Sequence, residues 1–316
     1  MPSARNMQTI GNQIVKDKVT VDADKLRKTT EVGTNTLLYG DVGSGKTTSL
    51  ATWIKAGVLE DKELKLAVVL TEPGGVESLL DGLEVHKVGS SPLPIDRLHY
   101  ADITPVSNDW NSLLEMSKKV NMMGYRDLTE LKSGLEKGKH KQFIDFIKLL
   151  ANFTDQDGKV LGPIDKLDNS WMFVVDSMTG VSMMARNLVV GLKPAPHTGE
   201  WQVMMSNETS YLNQMLYNTK CFTCTTGHTS KEFDQILGKP QYVPTFITKS
   251  LSPILPRMFS DVILQVRDGS SFQWSTTKRD YGSLKARNVP LEDKFEPTFH
   301  TIYKSWAKRR ELANSK

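Results

Sequence analysis

An α/β fold with a mostly parallel central sheet flanked by helices, plus a helical insertion and C-terminal antiparallel strands, is what this sequence predicts. Three observations predict it. Residues 36–48 read as a short apolar strand, a glycine-rich turn and the start of a helix. Two more apolar runs, at 66–71 and 171–175, are short and continuous, as expected of strands buried on both faces of a parallel sheet. Charged, helix-period stretches lie between and after these runs, the alternation expected of an α/β chain.

The first strand is Thr36–Tyr39, and the turn after it, Gly40-Asp41-Val42-Gly43-Ser44-Gly45-Lys46-Thr47-Thr48, fits G-x-x-x-x-G-K-[ST]. That spacing has a physical reason. The glycines let the backbone curl so that successive N–H groups point into one concavity, and the following helix adds the positive end of its dipole. Such a loop cradles the phosphates of a nucleotide. Lys46 then reaches the β- and γ-phosphates, and the Thr47 hydroxyl completes a Mg²⁺ shell. ATP and Mg²⁺ are therefore the expected ligands.

The next run, Leu66–Thr71, ends in Glu72-Pro73-Gly74-Gly75, a clear breaker. Strand carboxyl ends converge on the ligand edge of a parallel sheet, which makes Glu72 a candidate for activating water. It reads equally as a surface turn residue before Pro73. A further strand is expected around Leu98–Ile103. From about 108 to 168 the pattern turns helical and lysine-rich, with Leu131, Leu135, Phe143, Phe146, Ile147 and Leu150 at helix-like spacing; this is read as a helical insertion with a solvated lysine face. Trp171-Met172-Phe173-Val174-Val175-Asp176 has the form of a strand beside the P-loop strand, with Asp176 holding the Mg²⁺ shell through water. A helix through Trp201–Leu216 and a strand Cys221–Thr226 ending at Gly227-His228 follow. Short strands are expected at Val262–Val266, Phe272–Trp274 and Ser283–Ala286.

Bulk composition bounds the rest. The 316 residues carry 24% charged and 39% apolar side chains, an ordinary globular balance for one large α/β domain or two modest ones. No run approaches the roughly 18 apolar residues of a membrane span, and the first residues lack a signal-peptide core, so a cytoplasmic location is expected. Cys221 and Cys224 form a C-x-x-C, but it lies in an apolar β-prone run with no second pair, so both read as small buried hydrophobes. The six histidines show no metal-ligand spacing. A net charge of +4 is compatible with a polyanionic partner. The reading divides the chain into an arm (1–34), a core (35–303) and a basic tail (304–316).

Order and motifs together resemble the RecA/RadA-type recombination ATPases, most closely the RecA-like P-loop (AAA-type) ATPases encoded by bacteriophages, some of which act beside single-strand annealing proteins. The P-loop carries this resemblance, together with Leu70-Thr71-Glu72, Val174-Val175-Asp176-Ser177, Gly227-His228-Thr229-Ser230-Lys231-Glu232 and Leu284-Lys285-Ala286-Arg287-Asn288. It implies a RecA-like core in which Glu72 activates water and His228 senses the γ-phosphate. Lys285 and Arg287, with Arg257 as a second candidate, would reach a neighbouring subunit's nucleotide, so a homo-oligomer with ATP at the interface is implied. The family's DNA-contacting loops map onto 186–197 and 229–249. The second holds Lys231, Lys239, Tyr242, Phe246 and Lys249, a basic and aromatic mixture suited to single-stranded DNA. Recombination or replication partners, and the host cytoplasm for a phage-encoded chain, follow from the same resemblance. The chain departs from it in its long insertion and in showing neither an N-terminal zinc finger nor an evident polymerising helix in 1–34. Two other readings stand beside it: an ATP-dependent switch or motor subunit of a phage assembly, and a small-molecule phosphotransferase, although the arginines here are scattered rather than clustered as in a lid.

Overall fold

The computed structural model describes residues 32–104, 110–124, 127, 140–191, 196–234, 238–245, 255–277 and 284–315. In chain order its elements are β1 (Asn35–Gly40), α1 (Lys46–Leu50), α2 (Thr52–Leu59), β2 (Lys65–Leu70), α3 (Gly75–Val85), β3 (Leu98–Asp102), α4 (Trp110–Asn121), α5 (Gln142–Ala151), β4 (Phe153–Thr154), β5 (Val160–Gly162) and β6 (Trp171–Asp176). They continue with α6 (Met178–Val190), α7 (Thr198–Tyr217), β7 (Phe222–Asp234), β8 (Lys239–Pro244), β9 (Asp261–Asp268), β10 (Ser271–Ser275) and α8 (Phe299–Asn314).

The main sheet runs β10-β9-β1-β7-β6-β2-β3, and β8 joins it by pairing with β7. Every pair from β9 through to β3 is parallel, whereas β10 on β9 and β8 on β7 are antiparallel. This is the α/β architecture expected, a mostly parallel sheet flanked by helices. Strands β1, β2 and β6 are buried along all but their first residue, so both faces need apolar side chains and the sequence reads as continuous runs rather than alternation. Successive residues still face opposite layers. Leu37, Tyr39, Val69 and Phe173 pack with Phe146, Met184 and Leu212 on one side, while Leu38, Val68 and Val174 pack with Trp53, Leu79 and Trp306 on the other.

The sheet order corrects one expectation. The strand ending in Asp176 does not lie beside the P-loop strand; β7 runs between β1 and β6. Nor does β7 stop at Gly227-His228. It continues out of the sheet to Asp234 and returns as β8, so the described part of 229–249 is a hairpin rather than a loop. The expected strand at Ser283–Ala286 is one antiparallel bridge, Val262 to Lys285. Arg186, placed at the start of a loop, lies within α6.

The stretch read as a basic tail forms most of α8, a helix that covers the core. Ile302, Tyr303, Trp306 and Ala313 are buried, and the Trp306 indole donates to the Val32 carbonyl at 3.0 Å. Its cations point outward at Lys304, Lys308 and Arg310, which is why the sequence looks like a charged tail. Of the arm, residues 1–31 lie outside the described residues, and Gly33 is tied to the core by its N–H to the Lys220 carbonyl.

The insertion contributes α5 to the core through Phe143 and Phe146, while Lys118, Lys119 and Lys148 stay exposed. Leu131 and Leu135 lie outside the described residues. The segment after α5 also closes an edge of the sheet. The Gln156 carboxamide accepts from Tyr100 N–H (2.8 Å) and donates to the Leu98 carbonyl (3.3 Å), standing in for a neighbouring strand beside β3. Next to it His99 Nδ1 lies 2.7 Å from Asp155, and both residues are buried. Burial alone would raise the Asp155 pKa, but the hydrogen bonds from His99 and from the N–H groups of Lys159 and Asp157, with the His99 charge, hold it below the ordinary range. A carboxyl with a depressed folded pKa stabilises the fold above its unfolded value, about 3.9, and loses that contribution as the pH falls through the folded value. Asp155→Ala should therefore cost about 1–3 kcal/mol at pH 7, by leaving these donors unpaired. Urea unfolding should show the gap from wild type unchanged at pH 6 and narrowing below about pH 4.

Candidate active site

Parallel strands bring their carboxyl ends to one edge, and the P-loop, Glu72, Asp176 and His228 meet there. Strand β1 delivers Gly40, where an added Cβ would stand 2.2 Å from the Gln265 carbonyl oxygen, so this position takes no side chain. Gly43 and Gly45 then turn the chain with φ of 73° and 83°, the left-handed region that glycine enters without steric cost. Lys46 curls back over the loop, its Nζ donating to the carbonyls of Gly40 and Asp41, each at 3.0 Å. Burial lowers its pKa, opposed by the charges of Asp176, Glu72 and Asp41.

Behind the loop, Gln265 of β9 locks its backbone. The carboxamide donates to the Ser44 carbonyl (2.9 Å) and accepts from Ser49 Oγ and Trp274 Nε1, both at 3.1 Å. Gln265 is 1% exposed, and these three bonds are what make a buried amide tolerable there.

Asp176 ends β6. Thr47 Oγ1 donates to its Oδ2 at 2.7 Å, and Thr226 Oγ1 from the intervening strand donates to its Oδ1. The acid thus reaches the P-loop without its strand being adjacent to β1. Burial raises the Asp176 pKa, against the lowering effect of those two hydroxyls and the Lys46 charge. The Thr47 hydroxyl and the Asp176 carboxylate are hard oxygen donors side by side, the donor set a Mg²⁺ ion takes.

Glu72 follows β2 and Thr71. The Ser177 hydroxyl donates to Glu72 Oε1, and His228 Nε2 lies 2.8 Å and 2.9 Å from the two carboxylate oxygens. Burial pushes the Glu72 pKa up, but the hydrogen bonds of His228 and Ser177, with the charges of His228 and Lys46, outweigh it and hold the group below the usual glutamate range. Ser177 is itself fixed to Thr71, whose Oγ1 donates to the Ser177 carbonyl (2.7 Å) and accepts from its N–H (2.8 Å). Glu72 is therefore a held group at the site rather than a free turn residue.

These groups surround a cleft of about 270 Å³ between the P-loop, Glu72 to Gly75, Asp176, His228 and Phe272. Backbone N–H groups and Lys46 suit a polyanion, Thr47 and Asp176 suit a hard cation, and Glu72 supplies a base. A larger cavity of about 530 Å³ lies between α5 and α7, but its lining is largely aliphatic (Ile147, Leu150, Ile164, Met215), and the convergent charges are in the smaller cleft.

Other sequence candidates lie elsewhere. Lys285 and Arg287 sit beside the start of β9, the sheet end away from the cleft; Lys285 Nζ donates to the Phe259 carbonyl at 2.6 Å, and Arg287 N–H donates to Asp261. Arg257 is exposed on a short 3₁₀ turn, also away from the cleft lining. Lys231 and Tyr242 oppose each other across the hairpin and Lys239 begins β8, whereas Phe246 and Lys249 fall outside the described residues. Cys221 and Cys224 are buried free thiols, as expected. Among the described residues no cluster of three or more His, Cys, Asp or Glu is placed to hold a metal. No helix among them is long and apolar enough to cross a membrane.

Four site residues were given no role in the sequence reading: Ser177, Thr226, Gln265 and Phe272. Gln265 carries a signal, being the one amide in the apolar run 262–266. The others carry none, because their roles depend on which strands become neighbours.

No protein-family model matches the chain, and no curated protein matches it. Among solved structures it is similar to an ATPase from the type III secretion system of pathogenic bacteria, with 12% identity and a TM-score of 0.35. That alignment covers 75% of this chain and 53% of the other, so the chain spans about half of that ATPase. The site described above stands on its own geometry.

Proposed function

We propose that this chain is a P-loop ATPase whose turnover is governed by single-stranded DNA. What supports the reading most is the meeting of Lys46, Thr47, Asp176 and Glu72, from three separate stretches of sequence, around one cleft. P-loop amides and Lys46 bind the phosphates, Lys46 exchanging its carbonyl partners for phosphate oxygens. Thr47 and Asp176 would hold Mg²⁺, which when bound offsets phosphate charge. Glu72 takes a proton from the attacking water as its oxygen bonds to the terminal phosphorus, and the bond from that phosphorus to the β–γ bridging oxygen breaks to release ADP. To do this Glu72 gives up its bonds to Ser177 and His228, which frees the imidazole to meet the terminal phosphate.

The β7–β8 hairpin, with Lys231, Lys239 and Tyr242, is the surface we assign to DNA. It continues directly from His228, so a ligand along it acts on the residue that holds Glu72. Lys285 and Arg287, remote from their own cleft, would serve a neighbouring copy's nucleotide in a homo-oligomer. A role in phage recombination or replication, in the host cytoplasm, completes the proposal.

A second reading, a nucleotide switch without turnover, draws on one observation: both Glu72 oxygens are already hydrogen-bonded. Steady-state ATP hydrolysis with and without single-stranded DNA, at two salt concentrations, separates the two. The ATPase reading expects stimulation that weakens as salt rises, because phosphate contacts release counterions. Basal turnover indifferent to DNA would remove the DNA assignment, and ATP binding without turnover would favour the switch.

A further inference from the structure

Phe272 lines the nucleotide cleft, yet it comes from β10, on the opposite flank of the P-loop strand from Glu72. In the sheet, β10 lies two strands to one side of β1, and β2 lies three strands to the other. Its ring packs directly on the P-loop: a Cβ at Gly45 would stand 3.0 Å from three of its carbons. The Arg267 guanidinium lies 5.9 Å from the ring centroid, backing the aromatic group with a planar cation. Phe272 is half-buried and Arg267 exposed. The core tryptophan two residues on, Trp274, is 0% exposed and anchors the hairpin through its bond to Gln265.

The polarity of the cleft follows from the proposed function, on which this inference rests. The terminal phosphate must approach Glu72, so the phosphate chain crosses the P-loop and the nucleoside leaves on the β9–β10 flank. We infer that Phe272, backed by Arg267, is the platform on which the nucleobase packs. Aromatic rings and guanidinium planes are the surfaces bases stack on, and they read the π-face that every base carries rather than its edge. Of the P-loop residues that line the cleft, Val42, Gly43 and Gly45, the last packed on Phe272, bring no side-chain hydrogen-bonding group. The site therefore takes nucleoside triphosphates by the face of the base, with adenine and guanine poorly distinguished.

Calorimetric titration of the full chain with ATP, GTP and inorganic tripolyphosphate, each with Mg²⁺, tests this. Tripolyphosphate offers the phosphate chain without a base. Phe272→Ala should weaken ATP and GTP binding by about tenfold, the usual scale for losing one base stack, and leave tripolyphosphate within about twofold. Phe272→Tyr should restore ATP binding to within about threefold of wild type. In wild type the dissociation constants for ATP and GTP should agree within about threefold.

If Phe272→Ala weakens tripolyphosphate as much as ATP, the ring merely braces Gly45 and the platform assignment falls. Unchanged ATP binding in Phe272→Ala overturns it too, and strong preference for one purine overturns the base-tolerant part. Should wild type bind neither ATP nor tripolyphosphate, or Lys46→Ala bind both normally, the underlying nucleotide reading fails instead.

Discussion

Replacing Lys46 with alanine is expected to reduce kcat/KM for ATP by at least about 10³-fold. Removal of a single charge-stabilising donor from a preorganised site typically costs 10²–10³-fold, and Lys46 contributes to ground-state phosphate binding as well. The fold should survive. Among the described residues Lys46 donates to the Gly40 and Asp41 carbonyls, at a cleft where water can replace it. Its ammonium is also disfavoured by burial, so its loss removes a desolvation cost along with two hydrogen bonds. The checks are a melting temperature within a few degrees of wild type, about 1 kcal/mol or less, beside the kinetic loss. Retained turnover in a folded Lys46→Ala chain would end the P-loop mechanism.

Glu72→Gln should behave differently, and the contrast is informative. The carboxamide keeps the size of the side chain and an acceptor oxygen for Ser177 and His228, so ATP affinity should stay within a few-fold of wild type. The amide cannot take a proton from water, and loss of a general base typically costs 10²–10⁴-fold in kcat. Single-turnover hydrolysis with pre-bound ATP reads that step directly. Because Ser177, His228 and Lys46 hold the Glu72 pKa down, the wild-type group is ionised throughout the neutral range. Protonation of Glu72 before ATP binds should therefore reduce kcat/KM for ATP only below the ordinary glutamate range. If Glu72→Gln turns ATP over at the wild-type rate, the water-activating role passes to another group and the hold on Glu72 is structural.

Much of this site was legible in the chain, for a physical reason. A phosphate-binding loop is made by local backbone geometry, and the residues needed for it, Gly40, Gly43, Gly45, Lys46 and Thr47, are contiguous. Strands buried on both faces must be apolar throughout, so β1, β2 and β6 stand out, and the acids at their ends, Glu72 and Asp176, stand out with them. These features follow from short-range steric and solvation rules that any chain obeys before it folds.

Strand order is another matter. Nothing in the local sequence says that β7 inserts between β1 and β6, because pairing partners are chosen by packing across more than a hundred residues. That choice alone gives Thr226 to Asp176 and His228 to Glu72, while the pairing of β9 with β1 and of β10 with β9 sets Gln265 and Phe272 against the P-loop from the other flank. The same holds for residues 304–314, whose charges suggest a tail: only the groove beside Trp53 and Phe222 makes their apolar stripe a helix face. The sequence by itself determined the loop, the strands and the two acids, since these are encoded within single segments. The tertiary structure decided which hydroxyl, imidazole, amide and ring stand around them, since those contacts exist only once distant strands have become neighbours.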